Sequence, residues 1–167
     1  MFRRILVPTD FSPASQAALA QARQLAEHFG SSLQIVHVAE EPASSSGFVA
    51  DGFAPASDDM REGQLARARQ TLAALVSASD RKRLHVRTDV LTGVAATAIV
   101  DYAAATGTNL IVMGTHGRTG LAHLLMGSVA EHVVRTAPCA VLIVRPAATA
   151  RDAAMLPAAA RCAPLPA

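Results

Sequence analysis

The chain has no tryptophan, one tyrosine and two cysteines among its 167 residues, and aromatic side chains make up 4% of it. A core without large rings must be built from small aliphatic groups. Hydrophobic residues reach 51%, and alanine supplies much of that, which suits helices packed closely on a sheet. Cys139 and Cys162 are far apart and match no metal-ligand spacing, so they read as free thiols in a reducing compartment. No uninterrupted apolar run approaches the roughly 18 residues of a membrane-spanning helix. The opening MFRRILVPTD has too short an apolar run for a secretory signal. These absences point to a cytoplasmic protein. The net charge of +2 carries no concentrated basic face, which argues against a nucleic-acid scaffold. Arg81, Lys82 and Arg83 read as a solvated turn ahead of a strand.

What is present is a strict alternation of short elements. RILVPTD is a brief apolar run ending in turn residues, as a buried strand does. Ser12 then stands as an N-cap with Pro13 at the first helical position. Ala18, Ala22, Leu25, Ala26 and Phe29 share one helical face, and Gly30 is placed to stop the helix. SLQIVHVAE is a second strand. Residues 41–56 are rich in Ser, Gly, Pro and Ala without a period and read as a mobile loop. A helix is expected over about residues 57–79, burying Leu65, Ala68, Leu72, Leu75 and Val76. LHVRTDVL alternates and fits a strand at a sheet edge. The next helix, VAATAIVDYAAAT, has Val94, Ala98, Ile99 and Tyr102 on its apolar side and Gly107 as its stop. NLIVMG, SVAEHVVRT and CAVLIV complete the order as strand, helix, strand.

Five strands alternating with helices predict an α/β fold: a five-stranded parallel sheet, flavodoxin-like and doubly wound, with helices on both faces. The globular domain spans residues 1–146. Residues 147–167 form an Ala/Pro-rich tail expected to be disordered. In such sheets ligands bind outside the strand carboxyl ends, where the winding direction reverses. Two loops lie at that edge, VPTDFS after the first strand and MGTHGRTG after the fourth.

The second loop carries glycines at 114, 117, 120 and 127, with Ser128 opening the helix that follows. It is neither a Walker A loop, since no GK[ST] follows, nor the GxGxxG dinucleotide fingerprint. Its glycines let an anion approach main-chain amides at 114–117 and 127–129, and the helix start adds unpaired N–H groups and a favourable dipole. Ser128 offers a hydroxyl donor, and Arg118 and His116 offer charge. The competing reading is structural. The glycines turn the chain, and Ser128 with Glu131 makes a capping box.

Gly114-x2-Gly117-x9-Gly127-Ser128 resembles the nucleotide-binding signature of the universal stress protein family, in its ATP-binding branch. ILVPTDFSPAS, NLIVMGTHGRTGL and GSVAEHVVRTAPCAVLIVR resemble family segments in their usual order, from about residue 2 to 145. The resemblance implies the adenine nucleotide alpha hydrolase-like variant of the fold and a pocket for ATP, with or without Mg²⁺. Pro8, Thr9 and Asp10 would border the adenosine, and the Val38 backbone would read the adenine edge. Met113 would wall the base pocket, Gly114 and Gly117 would lie near ribose and phosphates, and Gly127, Ser128 and Val129 would cradle the phosphates. Arg118 joins this set on electrostatic grounds. The resemblance also implies a homodimer through the last strand, Ala140–Val144, an edge that would otherwise invite pairing.

Asp10 has two readings, a ligand to Mg²⁺ or ribose, and an Asx-type cap on the first helix. His116 and His123 lack a third ligand and read as polar loop side chains. Ser128 and His132 have no orienting carboxylate, so no catalytic group is assigned. His37 and His85 read as core or edge residues, and Cys139 as a small buried hydrophobe. With no base poised over a γ-phosphate, hydrolysis is expected to be slow or absent. The expected role is an ATP-binding sensor of stress or energy state that engages a protein partner, with no membrane or nucleic-acid partner. The alternatives are a slow ATPase or nucleotidyl transferase in the same pocket, and a dimerising protein that binds no nucleotide.

Overall fold

The computed structural model describes residues 2–39, 58–115 and 126–146. Among these the order is β1 (Arg4–Pro8), α1 (Pro13–Phe29), β2 (Ser32–Ala39), α2 (Asp58–Ala74), α3 (Ala78–Arg83), β3 (Arg87–Thr92), α4 (Ala95–Thr106), β4 (Leu110–Gly114), α5 (Ser128–Thr136) and β5 (Ala140–Val144). The five strands form one parallel sheet in the order β3-β2-β1-β4-β5. The chain steps outward from β1 to β2 and β3, then returns to add β4 and β5 on the other side. The reversal falls between β1 and β4, as expected of a doubly wound sheet. β3 and β5 are the edges.

Strand alternation divides the core between the two faces. Ile5, Val7, Leu33, Ile35, Leu110 and Val112 meet α1 and α2 through Ala18, Ala22, Ala26 and Leu72. Leu6, Val36, Ile111 and Met113 meet α4 and α5 through Ile99, Ala103, Ala130 and Val133. The central strands are buried on both sides, which is why they read as continuous apolar runs. Alanines on the helix faces bring α1 close to the sheet. Burial of each large aliphatic side chain contributes about 1.5–3 kcal/mol.

Helix ends follow their local chemistry. Ser12 caps α1 by accepting from the Ser15 amide at 3.3 Å, with Pro13 at the first position. Gly30 and Gly107 close α1 and α4 in the left-handed region, at φ 63° and 61°, where a Cβ is strained.

Four expectations need correction. The helix expected over about 57–79 ends at Ala74, and Ser77 starts α3 by accepting from the Asp80 amide at 3.0 Å. Leu72 and Val76 are still buried, and Leu65 and Leu75 half-buried, so the apolar face continues across the break. Arg81, Lys82 and Arg83 are therefore the last turn of a short helix, where positive charge suits the helix dipole. Arg83 also pairs with Glu27 at 2.6 Å. β3 begins at Arg87 because Leu84 caps α3 and His85 takes φ 45°. Finally, Val94 is the N-cap of α4 and 72% exposed, and the buried side of that helix is Ala96, Ile99 and Ala103.

Candidate functional site

The turn from β1 into α1 is held by hydrogen bonds within itself and to β2. The Thr9 amide donates to the Val36 carbonyl at 2.8 Å, and its hydroxyl donates to Ser15 Oγ at 3.0 Å while accepting from the Phe11 amide at 3.0 Å. The Thr9 carbonyl meets His37 Nδ1 at 2.8 Å. Both donors of Thr9 are thus engaged within the chain, so it can border a ligand by contact but has no hydrogen to offer. Phe11 takes φ 67°, uncommon for an aromatic residue, and its ring lies 4.5 Å from the His37 ring, centroid to centroid. No sequence signal marked the Phe11–His37 contact.

Asp10 accepts from the Ser12 amide at 3.1 Å, the Asx-type cap. Burial pushes its pKa up. Hydrogen bonds from the Ser12 hydroxyl and amide, from Ser15 and from its own amide outweigh that and hold the carboxyl below its ordinary value. Asp10 is therefore an anchored carboxylate at the carboxyl edge.

β4 delivers the second element. Met113 is 6% exposed within the core on the α4/α5 face, where half-buried Val38 and Val129 pack against the same cluster. Gly114 passes the first turn of α1 so closely that a Cβ would sit 2.8 Å from the Ala14 carbonyl carbon. Its lack of a side chain thus has a packing cause, and the approach brings the end of β4 against the start of α1. The Thr115 amide then donates to the Val144 carbonyl at 3.2 Å, and the Thr115 carbonyl accepts from the Gly127 amide at 2.7 Å. This last bond ties the two ends of the β4–α5 connection together.

That closure corrects part of the expected amide cradle. The amides of Thr115 and Gly127 are bonded within the chain rather than open to an anion. Gly127 is the N-cap of α5, with φ −74° and ψ 155°, and among the described residues no side chain caps the helix by hydrogen bond. The capping-box reading also falls. Ser128 is the first residue of α5, exposed at its start, and Glu131 pairs instead with Arg135 at 2.8 Å. Ser128 and Val129 thus bring two first-turn amides and one hydroxyl to the carboxyl edge. Gly117, Arg118, His116 and His123 lie outside the described residues, as do segment 44–57 and the tail.

The structure therefore places Pro8, Thr9 and Asp10 at the end of β1, Val38 on β2, Met113 and Gly114 on β4, and Gly127, Ser128 and Val129 where α5 begins. The starts of α1 and α5 belong to opposite faces of the sheet and flank the reversal between β1 and β4. Elsewhere, Cys139 is a half-buried free thiol whose pKa burial raises. Among the described residues no helix is long and apolar enough to cross a membrane.

Comparison with known proteins agrees with this architecture. The sequence profile of the universal stress protein family matches residues 1–145. A universal stress protein of Methanocaldococcus jannaschii is 33% identical over 147 residues, covering 87% of this chain and 83% of that protein. The solved structure of universal stress protein UspA from Lactobacillus plantarum superposes with a TM-score of 0.66 at 26% identity, covering 86% of this chain and 98% of the other. A universal stress protein crystallised in complex with cAMP gives a TM-score of 0.56 at 26% identity, covering 87% and 99%. The chain belongs to the universal stress protein family.

Proposed function

We propose that the protein binds an adenine nucleotide, ATP with or without Mg²⁺, in the crevice outside β1 and β4, and acts as a sensor rather than a catalyst. The observation that carries this reading is the start of α5. A helix beginning at the topological reversal of a doubly wound sheet, entered through glycine and left without a side-chain cap, is suited to a phosphate chain. Gly127 has backbone angles open to any residue, so turn geometry does not demand a glycine there. What a glycine does provide is space beside the Ser128 and Val129 amides. The family relative solved with cAMP supports the adenine nucleotide class.

In this reading the Ser128 hydroxyl and the amides of Ser128 and Val129 hold phosphate oxygens, joined by Gly117 and Arg118 from the connecting loop. Val38 and Met113 flank the base, and Pro8 and Thr9 border the adenosine by contact. When bound, Mg²⁺ would offset the charge that Asp10 brings near the phosphates. Asp10 already serves Ser12, which suits a positioning role better than that of a base for water. Nucleotide binding then biases the conformation seen by a protein partner in the cytoplasm. The β5 edge pairs with a second copy of the chain, consistent with its half-buried flank and with Leu142 at 36% exposure.

Calorimetric titration of nucleotide-free, folded protein with ATP, AMP and cAMP, each with and without Mg²⁺, tests the proposal. Binding of all three, strongest for ATP–Mg²⁺, is expected. Absence of heat and of thermal stabilisation at millimolar nucleotide would overturn it.

A further inference from the structure

A cavity opens at the other end of the sheet, away from the carboxyl edge. It has a volume of about 480 Å³ and lies at the amino ends of β1, β2 and β3, on the α4 side. Its lining includes Arg4, Gln34, His85, Arg87 and Thr106. Parallel pairing places these groups together. Gln34 sits between Leu6 of β1 and Arg87 of β3, and the last turn of α4 supplies Thr106. His85 joins the rim through the left-handed backbone that ends α3.

The lining is basic and contains no carboxylate. Among the described residues neither Arg4 nor Arg87 has an acidic partner within 4.0 Å. Arg4 donates to the Thr106 carbonyl, which fixes its guanidinium against the end of α4 and leaves other N–H groups of the fork for a ligand. Asp89, next along the same face of β3, accepts from the Tyr102 hydroxyl at 2.5 Å and stands outside the lining.

Gln34 is the second, independent observation. It is 7% exposed, between Leu6 and Arg87 in the sheet and with Val36 next along the same face of β2, and its Oε1 has no hydrogen-bond partner among the described residues. An orphaned buried amide oxygen costs about 1–3 kcal/mol. Its terminal torsion is soft, so a donor arriving in the cavity can be met by a turn of the amide. A fully ionised phosphate brings only acceptors to the arginines. A hydroxyl on the same ligand brings the donor that Oε1 lacks.

We propose that this amino-edge cavity is a second ligand site for a small hydroxylated anion of the sugar-phosphate class, with Arg4 and Arg87 on the phosphate and Gln34 on a hydroxyl. The site does not depend on nucleotide binding at the opposite edge. Glycerol 3-phosphate and, as the hydroxyl-free phosphate, methyl phosphate serve as probes, titrated into the full-length ¹⁵N-labelled protein at about pH 8, where a phosphate monoester is doubly ionised and has no proton to donate. Expected are shifts of the amides around residues 34, 85–87 and 106–107, at lower concentration for glycerol 3-phosphate than for methyl phosphate. Arg87→Gln should weaken both probes at least about tenfold, in line with loss of a charge-assisted hydrogen bond. Gln34→Met, close in length and with its fold checked by melting, should remove the advantage of glycerol 3-phosphate over methyl phosphate. No shifts at tens of millimolar, shifts confined to the carboxyl edge, or affinities unchanged in Arg87→Gln would overturn the site. Equal affinity for the two probes, or a preference that survives in Gln34→Met, would overturn the role given to the hydroxyl.

Discussion

Two of the helices that begin at the carboxyl edge of this sheet, α1 and α5, flank the reversal between β1 and β4, and they begin differently. α1 starts from Ser12 and Pro13, with Asp10, Thr9 and Ser15 bonded into one network around its first turn. α5 starts from Gly127, which carries no capping side chain, and its first residue is an exposed serine. The same strand-to-helix connection thus appears once saturated and once open. A saturated start fixes the angle at which a helix leaves the sheet. An open start leaves amides and a positive dipole end for something outside the helix. The two glycines flanking the β4–α5 connection repeat the contrast. Gly114 lacks a side chain because Ala14 fills its space, whereas Gly127 has no such demand from its own backbone angles.

The sharpest way to break this comparison is Gly127→Val. Its backbone angles suit a β-branched residue, and the Gly127 amide keeps its bond to Thr115. The melting temperature should therefore stay within a few degrees of the parent. Nucleotide affinity should fall by about a hundredfold or more, because the added methyls occupy the approach to Ser128 and Val129, at a cost comparable to two lost charge-assisted hydrogen bonds. Undiminished ATP affinity in a folded Gly127→Val protein would show that the open start of α5 is not the phosphate site.

Ser12→Ala tests the saturated start and should act in the opposite sense. Loss of the cap is worth about 1 kcal/mol, a few degrees of melting temperature in a domain of this size. Ser12 lies 9% exposed beneath the turn, so nucleotide affinity should change less than about threefold. A large loss of affinity with an unchanged melting curve would mean that α1 contributes directly to the ligand and that the contrast between the two starts is false.

The order of elements and the reversal point were legible because central parallel strands are buried on both faces and bounded by Gly30, Gly107 and Pro13. The break at Ser77 was not. Leu72 and Val76 keep helical spacing across it, and only the Ser77–Asp80 bond reveals a new cap. Val94 misled for a related reason, since an apolar residue directly before a helix was counted within its period. VPTDFS and the Gly127-Ser128 entry lie at the carboxyl edge, as position and residue type predict. That the Gly127 amide would be engaged by Thr115 was hidden, because the bond joins residues twelve apart across a connection with no local rule. The left-handed Phe11 was hidden too, since aromatic side chains disfavour that geometry.

The smallest expected effect concerns Asp10. Burial opposes its charge, while hydrogen bonds from Ser12, Ser15 and its own amide favour it more, so its folded pKa lies below the unfolded value of about 4. A carboxylate with a depressed folded pKa stabilises the fold at pH above the unfolded value. That contribution declines as the pH drops through the folded value, where both states become protonated. Asn at this position keeps an Asx-turn acceptor but loses the charge. Urea unfolding of the parent and of Asp10→Asn, compared from about pH 6 down to about pH 2, should show the parent ahead at the upper end and the gap closing with acid. The gap should be smaller than that produced by Ser12→Ala, because desolvation cancels part of the hydrogen-bond gain. If the two proteins differ by the same amount at every pH, the Asp10 charge contributes nothing to the turn, and the order seen at the start of α1 rests on Ser12, Thr9 and Ser15 alone.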